Sequence, residues 1–324
     1  MKQSASTLLS PSVLPVAVLA LLCVIACVAF MTVGANGAWS FVLPFRGGKL
    51  AAMVLVGYSI AVSTVLFQTV TGNRILTPAI MGLDTLYVLI QTALIFSIGS
   101  AATAALPPAA MFLAQATAMI LFSGLLYLWL FSGRTQSLYL IVLVGLVLGV
   151  LFRSVANLLQ RLMSPNEFVV LADRLFANFN TVNTQVLAVA AVAVVAVSIF
   201  GFRKLRTLDV LLLGREPAIA LGVDYKASVA QILIIVAILV SVSTALVGPV
   251  TFFGLLVASL AYRISSSQKH VYVLPVAVLV AILMLVGGQF ILERVFAFNT
   301  ALSIIIEFAG GIAFIIMLLR GTSR

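Results

Sequence analysis

Ten apolar stretches follow one another along this chain, near 13–33, 50–71, 79–100, 108–131, 137–162, 184–201, 228–248, 250–264, 271–291 and 300–320. They leave few folds open. A bilayer core about 30 Å thick takes roughly 20 apolar residues per spanning helix. A chain of 324 residues, 63% hydrophobic and only 8% charged, is therefore expected to be an all-α polytopic membrane protein. It has about ten transmembrane helices in a single domain over 1–324, because a soluble domain carries roughly a quarter charged residues. The stretch at 250–264 is too short to span comfortably and follows Gly248-Pro249. A broken or partial helix is predicted there, which a membrane tolerates only where the backbone is covered by protein or lines a cavity.

The formal charge of +10 would suggest a polyanion partner in a soluble protein, but here the basic residues fall mainly between apolar runs. With the N-terminus inside, the connections near Arg74, Arg134, 203–226, 263–270 and the C-terminus, together with Lys2, hold about 12 of the 18 Lys and Arg. The positive-inside rule then places both termini in the cytoplasm and assigns the charge to orientation, with no nucleic-acid partner and with lipid as the surroundings. The first run is too long for a signal-peptide core and has only Lys2 before it, so it is a retained span. Cys23 and Cys27 lie four residues apart inside it, without the further Cys or His that a metal site needs, and are expected to pack.

Two connections are more than turns. The outer one, 163–183, contains Pro165 and then FVVLADRLFANF, whose apolar residues recur at helical spacing and predict a helix lying in the interface. The inner one, 203–226, carries five basic and three acidic residues, with Gly214, Pro217 and Gly222 punctuating a short helix-forming run.

Catalysis finds no support. The single histidine, His270, stands in a basic loop and reads as structural; there is no phosphate loop, and the acidic residues are scattered. No catalytic residue and no metal set is assigned, and the chain is not expected to be an enzyme. Energy for moving a solute must come from a partner or from an ion gradient. Arg153 and Glu307 fall inside spans, where each costs on the order of 3 kcal/mol unless paired or hydrated, so both should face protein or water. Asp84 sits near a cytoplasmic end, where snorkelling or capping accounts for it. Gln68, Gln91 and Gln115 suit helix-to-helix bonding. A transporter driven by a partner and a gradient-driven secondary carrier both remain open on these grounds.

Residues 57–82, GYSIAVSTVLFQTVTGNRILTPAIMG, resemble the signature region of the FecCD-type permeases, which import iron-siderophores, haem and cobalamin, with Gly57, Ala61, Ser63, Gln68, Asn73, Pro78 and Gly82 at the family's spacing. Asn73-Arg74 stands where the family usually has Asn-Pro, which is closer to a branch serving catecholate or mixed-ligand siderophores through two different permeases. Arg46-Gly47-Gly48-Lys49 takes the place of the family's basic element at the outer mouth. Residues 211–225, LLLGREPAIALGVDY, resemble its cytoplasmic coupling segment, and 248–257, GPVTFFGLLV, its glycine-rich element. The family's Pro-His that should follow is Ala258-Ser259, and its final Leu-Pro-x-Gly is reduced to Leu302-Ser303, with Gly310 and Phe314 retained.

The resemblance implies a ten-helix permease of an ATP-binding-cassette importer in the cytoplasmic (inner) membrane. It would pair with a second, paralogous permease as a heterodimer, stand over two copies of an ATPase and receive iron-siderophore complexes from an extracytoplasmic binding protein; haem or cobalamin is the alternative cargo. No cofactor belongs to this chain, ATP and magnesium residing on the ATPases. Ser63, Thr64 and Gln68 would line the translocation path. Gly214, Arg215, Glu216, Ala218, Leu221 and Gly222 would engage the ATPase, with Ala218 against the partner surface and Leu221 as an anchor. Arg46 and Lys49, three residues apart at a helix start, would meet carboxylates of the binding protein, with Arg294 as a third cation.

Overall fold

A computed structural model describes residues 13–35, 37, 39–132, 138–295 and 302–321. Lys2, Arg134 and Arg324, which entered the charge count, lie outside them, as do the side chains of Phe314 and Arg320. The described residues are all-helical. In chain order the helices are α1 (Leu14–Thr32), α2 (Trp39–Thr71), a 3-10 turn (Pro78–Met81), α3 (Leu83–Ile98), α4 (Ser100–Ala105), α5 (Pro108–Ser132), α6 (Leu138–Leu162) and α7 (Pro165–Leu175). They continue with α8 (Thr184–Phe202), α9 (Leu205–Leu211), α10 (Arg215–Ala220), α11 (Tyr225–Val247), α12 (Phe253–Ile264), α13 (His270–Arg294) and α14 (Leu302–Gly321).

Seven helices are long and apolar enough to cross a bilayer, and three shorter apolar ones, Leu83–Ile98, Phe253–Ile264 and Leu302–Ile312, stand among them. The expected ten apolar runs thus become fourteen helices among the described residues, because the two long connections and the turn before α5 fold into short helices of their own. The predicted interface helix is α7. Ser164 caps it by accepting from the Glu167 N–H, Pro165 opens it, and Phe168 and Val169 stay exposed while Leu171 is buried.

The boundary of the second span differs most from expectation. The helix begins at Trp39, eleven residues before the apolar run at 50, and carries Arg46 and Lys49 within it. Helix persists through the basic element because both cations find partners inside the protein, as described below.

The two central helices are α2 and α11, buried over 61% and 67% of their apolar windows, whereas α1, α6 and α8 are buried over 17% and leave apolar side chains facing outward. Such an inverted distribution is stable only in lipid, where exposed Leu and Val cost nothing. Helix α11 packs on α2, α5 and α8; α13 packs on α1, α2 and α12; α3 packs on α6. The 3-10 turn crosses α6 at the backbone: a Cβ on Gly82 would lie 2.9 Å from Gly149 Cα, so two glycines let the chains touch.

The predicted break at Gly248-Pro249 is present between α11 and α12. The freed backbone is covered by protein. Asn178 N–H donates to the Val247 carbonyl at 2.8 Å, and Gly248 packs against the backbone of Phe176 and Ala177.

Candidate functional site

Three groups of residues can be traced from the middle of the chain to its two ends. In the middle, Ser63 and Thr64 on α2 are buried and face a cavity of about 20 Å³, which they share with Thr77, Asp84, Ser243, Thr244 and Thr251. This has room for about one water-sized occupant. Thr251 donates to the Asp84 carboxylate at 3.0 Å, which joins the first turn of α3 to the entrance of α12. Asp84 lies in the first turn of α3 and is buried against Thr251, so it neither snorkels to the surface nor caps the helix. Arg153 and Glu307 are both exposed on the surface of the chain. Gln68 is elsewhere: its amide donates to the Arg74 carbonyl at 2.6 Å and pins the turn after α2. All three expected path-lining side chains are enclosed within this chain, and only Ser63 and Thr64 share a cavity.

At the end reached by α1 and the start of α2, the three expected docking cations converge. Arg46 donates through Nη1 to the carbonyls of Phe30 (2.9 Å), Met31 (3.2 Å) and Val33 (2.8 Å), the last turn of α1 and its cap. Arg294 also donates to the Val33 carbonyl. These oxygens are the ones a helix C-terminus leaves without intrahelical donors, and cations are favoured there by the dipole. Lys49 is buried. Its Nζ lies 3.4 Å from Glu293 Oε1, with side chains 7% and 12% exposed, and 4.4 Å from the centre of the Phe45 ring. Gln289 completes the group by donating to Glu293 and to Asn180, each at 3.0 Å. Of the three, Arg294 alone is exposed. Glu293 was not singled out from the sequence, since nothing in local spacing joins residue 49 to residue 293.

At the opposite end, the polar connection after α8 folds into α9 and α10. Gly214 precedes α10 at φ 97°, and Gly222 follows it at φ 83°. The Gly222 N–H donates to Ile219 O (2.9 Å) and the Val223 N–H to Ala218 O (3.0 Å), the paired bonds of a Schellman cap that needs a left-handed residue at Gly222. Glu216 lies in the first turn, where the dipole favours it. Arg215 and Glu216 are exposed, and Arg215 lies 6.0 Å from the Tyr225 ring.

Ala218 differs from expectation. It is fully buried in this chain's own core with Leu208, Leu211 and Val229, because α10 folds back on α9. The outward apolar residues are Leu212, Leu213, Ile219 and Leu221, exposed by 42–63%. Leu221 was anticipated. The other three could have been found from their apolar character in the most polar segment of the chain.

An apolar crevice of about 320 Å³ lies between α2, α8, α9, α11 and α13 and offers only the side chains of Tyr58 and Ser198 as polar groups. It cannot satisfy a polar metal chelate. No group of three or more His, Cys, Asp or Glu that could hold a metal is present among the described residues.

A petrobactin import system permease protein, YclO of Bacillus subtilis (strain 168), is 48% identical over 91% of this chain and 94% of that protein. Another, FatC of Bacillus anthracis, is 37% identical over 84% of this chain and 77% of that protein. Among solved structures, an inward-facing metal-chelate type ABC transporter superposes with a TM-score of 0.81 at 22% identity, covering 94% of this chain and 98% of that one. This likeness establishes the fold. The model of the FecCD transport family matches residues 5–320; with nearly the whole length covered, the chain belongs to that family.

Proposed function

We propose that this chain is a permease subunit of an ATP-binding-cassette importer that carries iron-siderophore complexes across the cytoplasmic membrane. The observation that carries the reading is the coupling element. A six-residue helix, fixed at both ends by glycines, holds Ile219 and Leu221 outward beside Leu213, next to exposed Arg215 and Glu216. An apolar patch rimmed by charge on the polar side of a membrane protein is a protein docking surface. A transporter without a phosphate loop must receive force through such a surface, and 211–225 is the segment built to receive it from two copies of an ATPase that hold ATP and magnesium. The petrobactin assignments of the relatives at 48% and 37% identity support a siderophore as cargo.

The finer architecture follows from the same reading. The seven long helices and three shorter apolar ones make ten crossings, with both termini cytoplasmic and α9–α10 on the inner side. The end that carries Arg46, Lys49 and Arg294 then faces the extracytoplasmic binding protein. A second, paralogous permease completes the pathway, with the exposed faces of α6 and α14, including Arg153 and Glu307, as its meeting surface. Ser63 and Thr64 contribute from within.

Deleting the gene in iron-starved cells and following uptake of iron-loaded petrobactin tests the cargo. Loss of uptake, restored by the wild-type gene, is expected. Undiminished uptake with no other petrobactin permease present would contradict it.

A further inference from the structure

We propose that Asp209, His270 and Thr69 form a strut that carries the stroke of the coupling element to α2, with His270 as its positioning residue. This rests on 211–225 being the segment the ATPase moves.

The strut starts on α9. Asp209 Oδ1 accepts from the backbone N–H of His270 at 2.9 Å and lies 2.7 Å from its Nδ1. A carboxylate can only accept, so Nδ1 carries the proton. Lys269 at the N-cap of α13 makes no side-chain capping bond. Asp209 supplies that function from another segment, which locks the start of α13 to α9. The other ring nitrogen, Nε2, lies 2.7 Å from Thr69 Oγ1 on α2; with the ring proton on Nδ1, Nε2 accepts from that hydroxyl, whose one proton has the Val65 carbonyl, 2.8 Å away, as its alternative acceptor. A single imidazole thus ties three helices.

His270 is 1% exposed and Thr69 3%. An imidazole is planar and has no torsion between its two nitrogens, so displacement of Asp209 is transmitted rather than absorbed. Helix α9 touches α2, α13 and α10, and α10 is seated on α9 through buried Ala218. Beside the strut, Arg74 donates to Gln268 at 2.8 Å and stacks 4.5 Å from the Tyr262 ring, which ties the turn after α2 to the approach to α13. Thr69 stands five residues from Thr64, about 7.5 Å along the helix, so the strut ends close to the small polar cavity. A histidine that merely filled space would need neither a carboxylate bonded twice nor a hydroxyl on a third element.

The test uses the complete importer in proteoliposomes with loaded binding protein, measuring iron transported per ATP hydrolysed. Thr69→Val keeps the side-chain shape and removes the hydroxyl, while Thr69→Ser keeps the hydroxyl. In assembled complexes, Thr69→Val and Asp209→Asn should each lower iron per ATP by about tenfold, within the range of ordinary coupling energies. Thr69→Ser should match the parent, and the double variant should be no worse than the more severe single one. Parental iron per ATP in assembled Thr69→Val complexes, or strictly additive losses in the double variant, would overturn the strut. Because Thr69→Val is nearly isosteric, it decides the matter even if Asp209→Asn fails to assemble. Leu221→Asp, measured in parallel, separates the two levels: blocked ATPase attachment with normal Thr69→Val transport removes the strut alone, whereas normal attachment of Leu221→Asp removes the coupling reading beneath it.

Discussion

The two ends of the molecule use opposite chemistry from what their sequences advertise. The end with Arg46, Lys49 and Arg294 looks like a cationic docking site, yet Arg46 is committed to the carbonyls of α1 and Lys49 to Glu293. The end with 203–226 looks like a solvated charged loop, yet Leu213, Ile219 and Leu221 stand exposed on it. Charge near a membrane is drawn inward to satisfy backbone and carboxylates. Apolar side chains left outside on the polar side are what remains free for a partner.

The strongest effect is expected at the end that carries α10. Ile219→Asp with Leu221→Asp is expected to abolish recovery of the ATPase with the membrane complex while leaving insertion normal, as read by co-purification; retention of the ATPase would show that the exposed patch is not its seat. Ala218→Glu should do similar damage by another route. Burying an unpaired carboxylate between α9 and α10 costs several kcal/mol, so the element itself should open and become protease-sensitive.

At the other end the largest effect is expected inside the protein. Lys49→Met leaves Glu293 buried without its cation, which by analogy with broken buried pairs costs about 3–5 kcal/mol. Lys49→Met with Glu293→Leu should recover much of that stability in a thermal-unfolding assay. Arg46→Gln removes donors from the α1 terminus and should cost about 1–2 kcal/mol. If Lys49→Met instead left stability intact and altered only binding-protein docking, the internal role assigned to this end would fall.

Smaller changes sharpen the contrast. Arg294→Glu, at the exposed cation, should slow docking a few-fold and weaken its salt dependence, as rim charges do. Ser63→Ala should cost less than about 1 kcal/mol, since the Ser63 hydroxyl donates to Ile60 O within its own helix. Its effect on transport, read as uptake in cells, then reports on the cavity rather than on folding.

Most of the helical plan was legible because each apolar run is a physical requirement of the bilayer, and the boundaries of α1, α5, α6 and α8 follow the runs closely. The glycine-bracketed α10 was legible too, since Gly214, Glu216 and Gly222 carry local cap chemistry. What escaped was long-range. Lys49 meets Glu293 across 244 positions, and His270 meets Thr69 across 201; no periodicity encodes such pairings. The early start of α2 escaped for the same reason, since its basic residues are tolerable only once their partners are in place. Ala218 faced the wrong way in expectation because a six-residue helix has too few turns to reveal which side the neighbouring α9 covers.

The central claim is that the outward face of α10 is where the ATPase takes hold. Cysteine crosslinking in membranes tests it directly, with Leu221→Cys on α10 and, as reference, Ser266→Cys on the exposed turn between α12 and α13. The account predicts a crosslink to the ATPase at Leu221→Cys that weakens when the two proteins are separated. A crosslink at Ser266→Cys with none at Leu221→Cys would contradict it.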